Sequence, residues 1–72
     1  MNKEELLKRF GKNVKIERIK KDLTAEQFAE IMDVSVSYLS CIERGKENMS
    51  LAKVLELANY LEVDIKTLLD FS

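Results

Sequence analysis

Four times along this chain a residue that starts helices, Thr24, Ser35, Ser50 or Asp64, stands before apolar residues spaced three and four apart, and no proline occurs anywhere. No segment alternates with period two over a useful length and β-branched residues are scattered, so the chain reads as helices joined by short turns, with no sheet. The longest segment covers residues 3–20, where Leu6, Leu7, Phe10, Val14 and Arg18 share one face and lysines take the other. Leu23 then precedes Thr24-Ala25-Glu26-Gln27, a capping box in which the Thr24 hydroxyl accepts from the third helical amide and Gln27 reaches back. It opens a second helix of about 24–31 with apolar members Phe28, Ala29, Ile31 and Met32. Asp33 ends that helix, Asp being one of the few residues besides glycine that tolerate a left-handed turn. Ser35 caps a third helix to about Arg44, with Tyr38, Leu39 and Ile42 inward, and Gly45 stops it as a left-handed cap. Ser50 caps a fourth, whose Leu51, Val54, Leu55, Ala58 and Leu61 make one stripe. Asp64 caps a fifth, carrying Ile65, Leu68, Leu69 and Phe71. The expected fold is all-α, five helices in a single domain over residues 1–72.

Several function classes fall away on composition. The 72 residues, 46% of them hydrophobic, suffice for one small core of marginal stability. The single cysteine, Cys41, excludes an intrachain disulfide, and the absence of histidine removes the usual zinc sites and histidine acid–base chemistry. Neither paired carboxylates, nor a nucleophile with its base, nor a phosphate-binding glycine loop is visible, so no enzyme, cofactor or metal is expected. No stretch approaches the ~18 apolar residues of a membrane span, and the opening MNKEELLKRF lacks the apolar core of a signal peptide. A cytoplasmic protein without membrane contact is expected. The formal charge of −1 hides a strong polarisation. Residues 1–21 hold eight Lys or Arg against Glu4, Glu5 and Glu17, whereas residues 22–46 and 47–72 each sum to −3. Total charge is then a poor guide to what one face binds.

Residues 24–44 have the arithmetic of a helix-turn-helix, two short helices and a turn of about three residues, the second helix rich in small polar side chains. Two helices crossing steeply over a tight turn need a small residue where their axes approach, and Ala29 sits there. Phe28, Met32, Val34, Leu39 and Ile42 flank the turn and line the inner face.

With these segments in view, the chain resembles the Cro/repressor-type helix-turn-helix family, the xenobiotic-response-element class of bacterial and phage regulators that includes restriction-modification controllers. The residues that carry the resemblance are Gly11 to Arg18, Leu23-Thr24-Ala25-Glu26-Gln27-Phe28-Ala29-Glu30, Val34 to Ser40, and above all Ile42-Glu43-Arg44-Gly45-Lys46. It continues through Asn48-Met49-Ser50-Leu51 and Leu57-Ala58 into Leu68-Leu69. The resemblance implies a five-helix, lambda-repressor-like domain that binds a palindromic double-stranded operator as a homodimer and regulates transcription as a repressor or autoregulator. Ala25 and Val36 stand where the family often has Gln, Cys41 where it often has Lys, Asp33 where it has the turn Gly, and Met49 where it has Pro. These departures and the acidic total keep a second reading open, an antitoxin-like or other protein-interaction module of the same fold with weak or no DNA binding.

A third helix placed in the major groove turns Ser35, Val36, Ser37, Ser40, Cys41 and Arg44 toward DNA. Val36 suits a thymine methyl, Ser37 and Ser40 suit base edges or phosphates, and Arg44 suits guanine, a phosphate or an acidic neighbour. Cys41 reads as a small neutral filler rather than a redox sensor. Phosphate contacts are expected at the start of the second helix from Thr24 and Gln27, from Lys20 and Lys21 just before it, and from Lys46 and Asn48 after the recognition helix. Arg18, on a buried face, needs an acidic partner, and the resemblance implies Glu26 or Glu43. The apolar arc of the fifth helix is wider than one core face requires, and Leu57 and Tyr60 fall off the main stripe of the fourth. The helices of about 50–71 are therefore expected to dimerise through Leu61, Leu69 and Phe71, with Tyr60 at the rim. Ile16 and Ile19 lie off the inner stripe of the first helix with no assignment. Repression needs only occupancy of the operator. Activation needs a surface for RNA polymerase, and Glu30 with Asp33 offers an acidic one.

Overall fold

Helices start where a side chain can replace the acceptor that the first backbone amides lack. The computed structural model describes residues 1–72 and contains five: α1 (Lys3–Lys20), α2 (Ala25–Met32), α3 (Val36–Glu43), α4 (Leu51–Leu61) and α5 (Ile65–Leu68). Asn2 accepts from the Glu5 amide, Ser35 from Tyr38 and Ser50 from Lys53, at 2.9 to 3.1 Å. At Thr24 the capping box is complete, with Gln27 N–H donating to Thr24 Oγ1 at 3.1 Å and Thr24 N–H to Gln27 Oε1 at 2.9 Å. Asp64 stands at the start of α5, but its side chain makes no cap bond.

The four longer helices stop in one way. After each, a residue with positive φ folds the chain back, namely Asp22, Asp33, Gly45 and Glu62. The next amide then returns to a carbonyl five residues earlier: Leu23 to Arg18, Val34 to Ala29, Lys46 to Cys41 and Val63 to Ala58. Only one of the four is glycine, and its surroundings explain why. A Cβ at Gly45 would lie 2.7 Å from the Lys8 backbone, so this position must satisfy both a left-handed turn and the close passage of α1.

Phe10, Val14, Phe28, Ala29, Leu39, Ile42, Val54, Leu57, Ala58, Leu61 and Leu68 form one core to which every helix contributes. Three expectations shift by part of a turn. On α4 the buried positions are Val54, Leu57, Ala58 and Leu61, a full i, i+3, i+4, i+7 set, so Leu57 belongs to the core while Leu51 and Leu55 are 75% and 49% exposed. On α1 the buried set is Phe10, Gly11, Val14 and Arg18, and Leu6 is exposed. The fifth helix is a single turn that ends before Leu69 and Phe71.

Candidate DNA-binding surface

Asp33, Val34 and Ser35 join α2 to α3, and the hydrophobic side chains of Val34, Leu39 and Ile42 press this pair of helices onto the core. Ala29, 1% exposed, sits at the close approach to the turn and receives the Val34 amide at 2.9 Å. The face of α3 turned away from the core carries Val36 and Ser37 exposed and Ser40 and Cys41 half-buried, with Ser35 and Arg44 exposed at its two ends. No charged side chain lies within α3 before Glu43.

What fixes α3 is its C-terminal end. A Cβ on Gly11 would collide with the Ile42 carbonyl oxygen and lie 2.6 Å from that of Glu43, so α1 and α3 touch backbone to backbone there. Beside this contact Arg18 makes a two-pronged pair with Glu43, Nε to Oε2 at 2.7 Å and Nη2 to Oε1 at 3.2 Å, while Nη1 donates to the Leu23 carbonyl at 2.7 Å. Both side chains are about nine-tenths buried, and no buried side-chain polar atom is left without a partner. One guanidinium thus ties together α1, the α1–α2 loop and α3. Glu26, the other acid proposed for Arg18, is exposed on α2 and takes no part: the partner is Glu43 alone.

Arg44 has no acidic partner. Its Nε donates to the Ser40 carbonyl at 3.3 Å and to Ser40 Oγ at 3.2 Å, and Nη2 lies 3.8 Å from Cys41 Sγ. The guanidinium therefore lies along α3 against neutral acceptors, with its remaining N–H groups unspent. The cations around α2 are placed differently. Lys20 is 3.2 Å from Glu17 and Lys21 is 3.3 Å from Glu62. Exposed pairs of this kind contribute about 0–1 kcal/mol, which a phosphate can readily displace. The side chains of Thr24 and Gln27 act only as acceptors in the capping box, so the Thr24 hydroxyl proton and the Gln27 side-chain amide protons remain free for an anion. Lys46 and Asn48 are exposed in the loop between α3 and α4.

Tyr60, Leu69 and Phe71 remain at the surface, Phe71 half-buried against the core. Leu61 does not. It is 0% exposed within the chain, because it is the last member of the buried α4 set, and cannot touch a partner. Asn13 and Gly11 belong to the segment that carries the family resemblance, but the sequence assigns neither a role, although both shape this architecture. Asn13 donates to the Leu68 and Asp70 carbonyls at 3.0 and 2.9 Å. No local pattern reveals that bond, since its partners lie 55 and 57 residues away. No helix is long and apolar enough to cross a membrane.

A helix-turn-helix whose second helix is locked at its inner face and open at its outer one defines a class, and residues 14–68 match the helix-turn-helix family HTH_3. The chain belongs to this family of DNA-binding regulators. Among its relatives, control protein C.BamHI of Bacillus amyloliquefaciens is 38% identical over 64 residues, covering 88% of this chain and 79% of that one. Control protein C.MunI of a Mycoplasma species is 36% identical over 61 residues, covering 83% and 82%. The crystal structure of the restriction-modification controller protein C.AhdI from Aeromonas hydrophila superposes with a TM-score of 0.77 at 34% identity, covering 86% of this chain and 94% of that one.

Proposed function

We propose that this protein is a cytoplasmic, sequence-specific DNA-binding regulator of the restriction-modification controller type, acting as a homodimer on a palindromic operator. The observation that carries the reading is the division of α3. Its inner face and C-terminal end are immobilised by Leu39, Ile42 and Glu43, while Val36, Ser37 and the unpaired Arg44 stand on the outer side. Lying in a major groove, that side would set Val36 against a thymine methyl, the serines against base edges and the Arg44 guanidinium against guanine or phosphate. The free amides at the start of α2, with Thr24, Gln27, Lys20 and Lys21, would hold one stretch of backbone, and Lys46 with Asn48 another.

Pairing would use the C-terminal region, where Tyr60, Leu69 and Phe71 present apolar surface that one copy leaves uncovered. Two-fold symmetry would bring two copies of α3 about one turn of DNA apart, roughly 34 Å. Repression follows from occupancy of the operator. For an activating role, Glu30 and Asp33 are both exposed on and just after α2 as an acidic contact for RNA polymerase. The test is selection from random double-stranded DNA, with affinity of the enriched pool read at two salt concentrations. Enrichment of a palindrome with half-sites one turn apart, with a steep salt dependence, is expected. A folded protein that enriches nothing would instead favour the protein-interaction module.

A further inference from the structure

A one-turn helix cannot satisfy its own last carbonyls, and α5, Ile65–Leu68, is one turn long. The side chain of Asn13 on α1 supplies what is missing: its amide nitrogen donates to Leu68 O at 3.0 Å and to Asp70 O at 2.9 Å. One turn earlier on α1, Arg9 Nη1 reaches Phe71 O at 3.4 Å. Asp70 is held in turn by Ser72, whose amide and hydroxyl donate to its Oδ1 and lower its pKa from the ordinary carboxylate value. The segment after α5 is thus fastened to the first helix by side chains rather than by regular structure. It carries Leu69, 38% exposed, and Phe71, which shares a surface groove with Asn13 and the exposed Ile16.

We propose that Asn13 is the positioning residue of the dimer surface, its two amide protons holding residues 68–71 so that Leu69 and Phe71 meet a second copy already ordered. The proposal rests on the homodimer reading given above. The residue type fits the task. Two adjacent carbonyls need two donors from one short, uncharged side chain; serine has one proton to give and aspartate none. Without the clasp, the segment gains freedom in the monomer, and that freedom must be surrendered on association, which lowers affinity without removing a single contact between copies. Ile16, which sequence reasoning left unassigned, then gains a role as the α1 side of the same apolar surface.

Sedimentation of the full chain from nanomolar to tens of micromolar concentrations tests this with the wild type, Asn13→Asp, Asn13→Ala, Phe71→Ala and the Asn13→Asp/Phe71→Ala pair. Asn13→Asp is isosteric but cannot donate, and its dimer dissociation constant is expected to rise about tenfold. The thermal midpoint, read where all forms are monomeric, should move by only a few degrees, and Asn13→Ala should behave alike. Because Asn13 acts through the segment that bears Phe71, the paired variant should lose less than the sum of its two parts. Wild-type affinity in both folded Asn13 variants, or full additivity with Phe71→Ala, would overturn the proposal while leaving the homodimer intact. A wild type that stays monomeric at tens of micromolar would overturn the homodimer reading and this one together.

Discussion

The two ends of the polypeptide path past α1 are held in opposite ways. At the C-terminal end of α3 the contact is backbone against backbone at Gly11 and Gly45, sealed by a buried guanidinium–carboxylate pair. Past α5 the contact is a side-chain amide and a guanidinium reaching to carbonyls, with Leu69 and Asp70 exposed. The first arrangement has no slack, because nothing can be added at Gly11 and nothing removed from Arg18 without a buried consequence. The second is a handful of bonds near solvent, each contributing about 1 kcal/mol. The element proposed to present side chains to DNA is accordingly the stiff part, and the element proposed for pairing is the adjustable one.

The sharpest way to break this contrast is at the buried pair. Arg18→Ala strands the Glu43 carboxylate and the Leu23 carbonyl, and should cost about 3–5 kcal/mol in urea denaturation. In a domain this small that is enough to leave much of the chain unfolded. Replacing both partners, Arg18→Met with Glu43→Leu, should recover most of the loss, since the cost lies in the orphaned charge and not in the missing attraction. Next comes Gly11→Ala. Its methyl group must push the α3 carbonyls away, at about 3 kcal/mol, against a gain of about 1 kcal/mol in helix propensity.

A change on the outer side of α3 should separate binding from folding. Ser37→Glu places a carboxylate against the polyanion and should weaken DNA binding about 100-fold in a fluorescence titration. Its melting temperature should stay within a degree or two of wild type, since Ser37 is exposed. The smallest effect on folding is expected beyond α5. Leu69→Ser should shift monomer stability by no more than about 0.5 kcal/mol in the same denaturation assay. A large loss there would erase the distinction between the two regions.

Local signals made the order of the helices readable. Thr24-Ala25-Glu26-Gln27 forms the box its spacing implies, and Asp33 and Gly45 turn left-handed where the apolar periodicity stops. Legibility falls where a choice depends on distant chain. On α4, leucines occupy Leu51, Leu55, Leu57 and Leu61, and the periodicity of one helix cannot say which half of that set the other helices will cover. The core chose Leu57 over Leu51 and Leu55. The choice between Glu26 and Glu43 for Arg18 has the same character, since the two acids lie on different helices and only packing brings one of them to 2.7 Å. Leu61 is expected both on the inner stripe of α4 and at the dimer surface, and a surplus of apolar residues near the C-terminus does not say which member is the outer one; the core takes Leu61. Apolar spacing puts Leu69 and Phe71 on the fifth helix, but that helix ends after one turn, where the Leu68 and Asp70 carbonyls find a donor in Asn13 and not in a next turn of their own helix.

The outer side of α3 has a consequence for divergence over generations. Val36 and Ser37 are exposed, and neither supports the core, the buried pair or a glycine contact. Exchanging them leaves the scaffold almost untouched, so with α3 reading DNA as proposed, duplicated copies of such a gene would part company in the DNA they occupy through one or two substitutions. Two regulators in one cell could thereby stop competing for each other's sites long before their folds had visibly drifted apart.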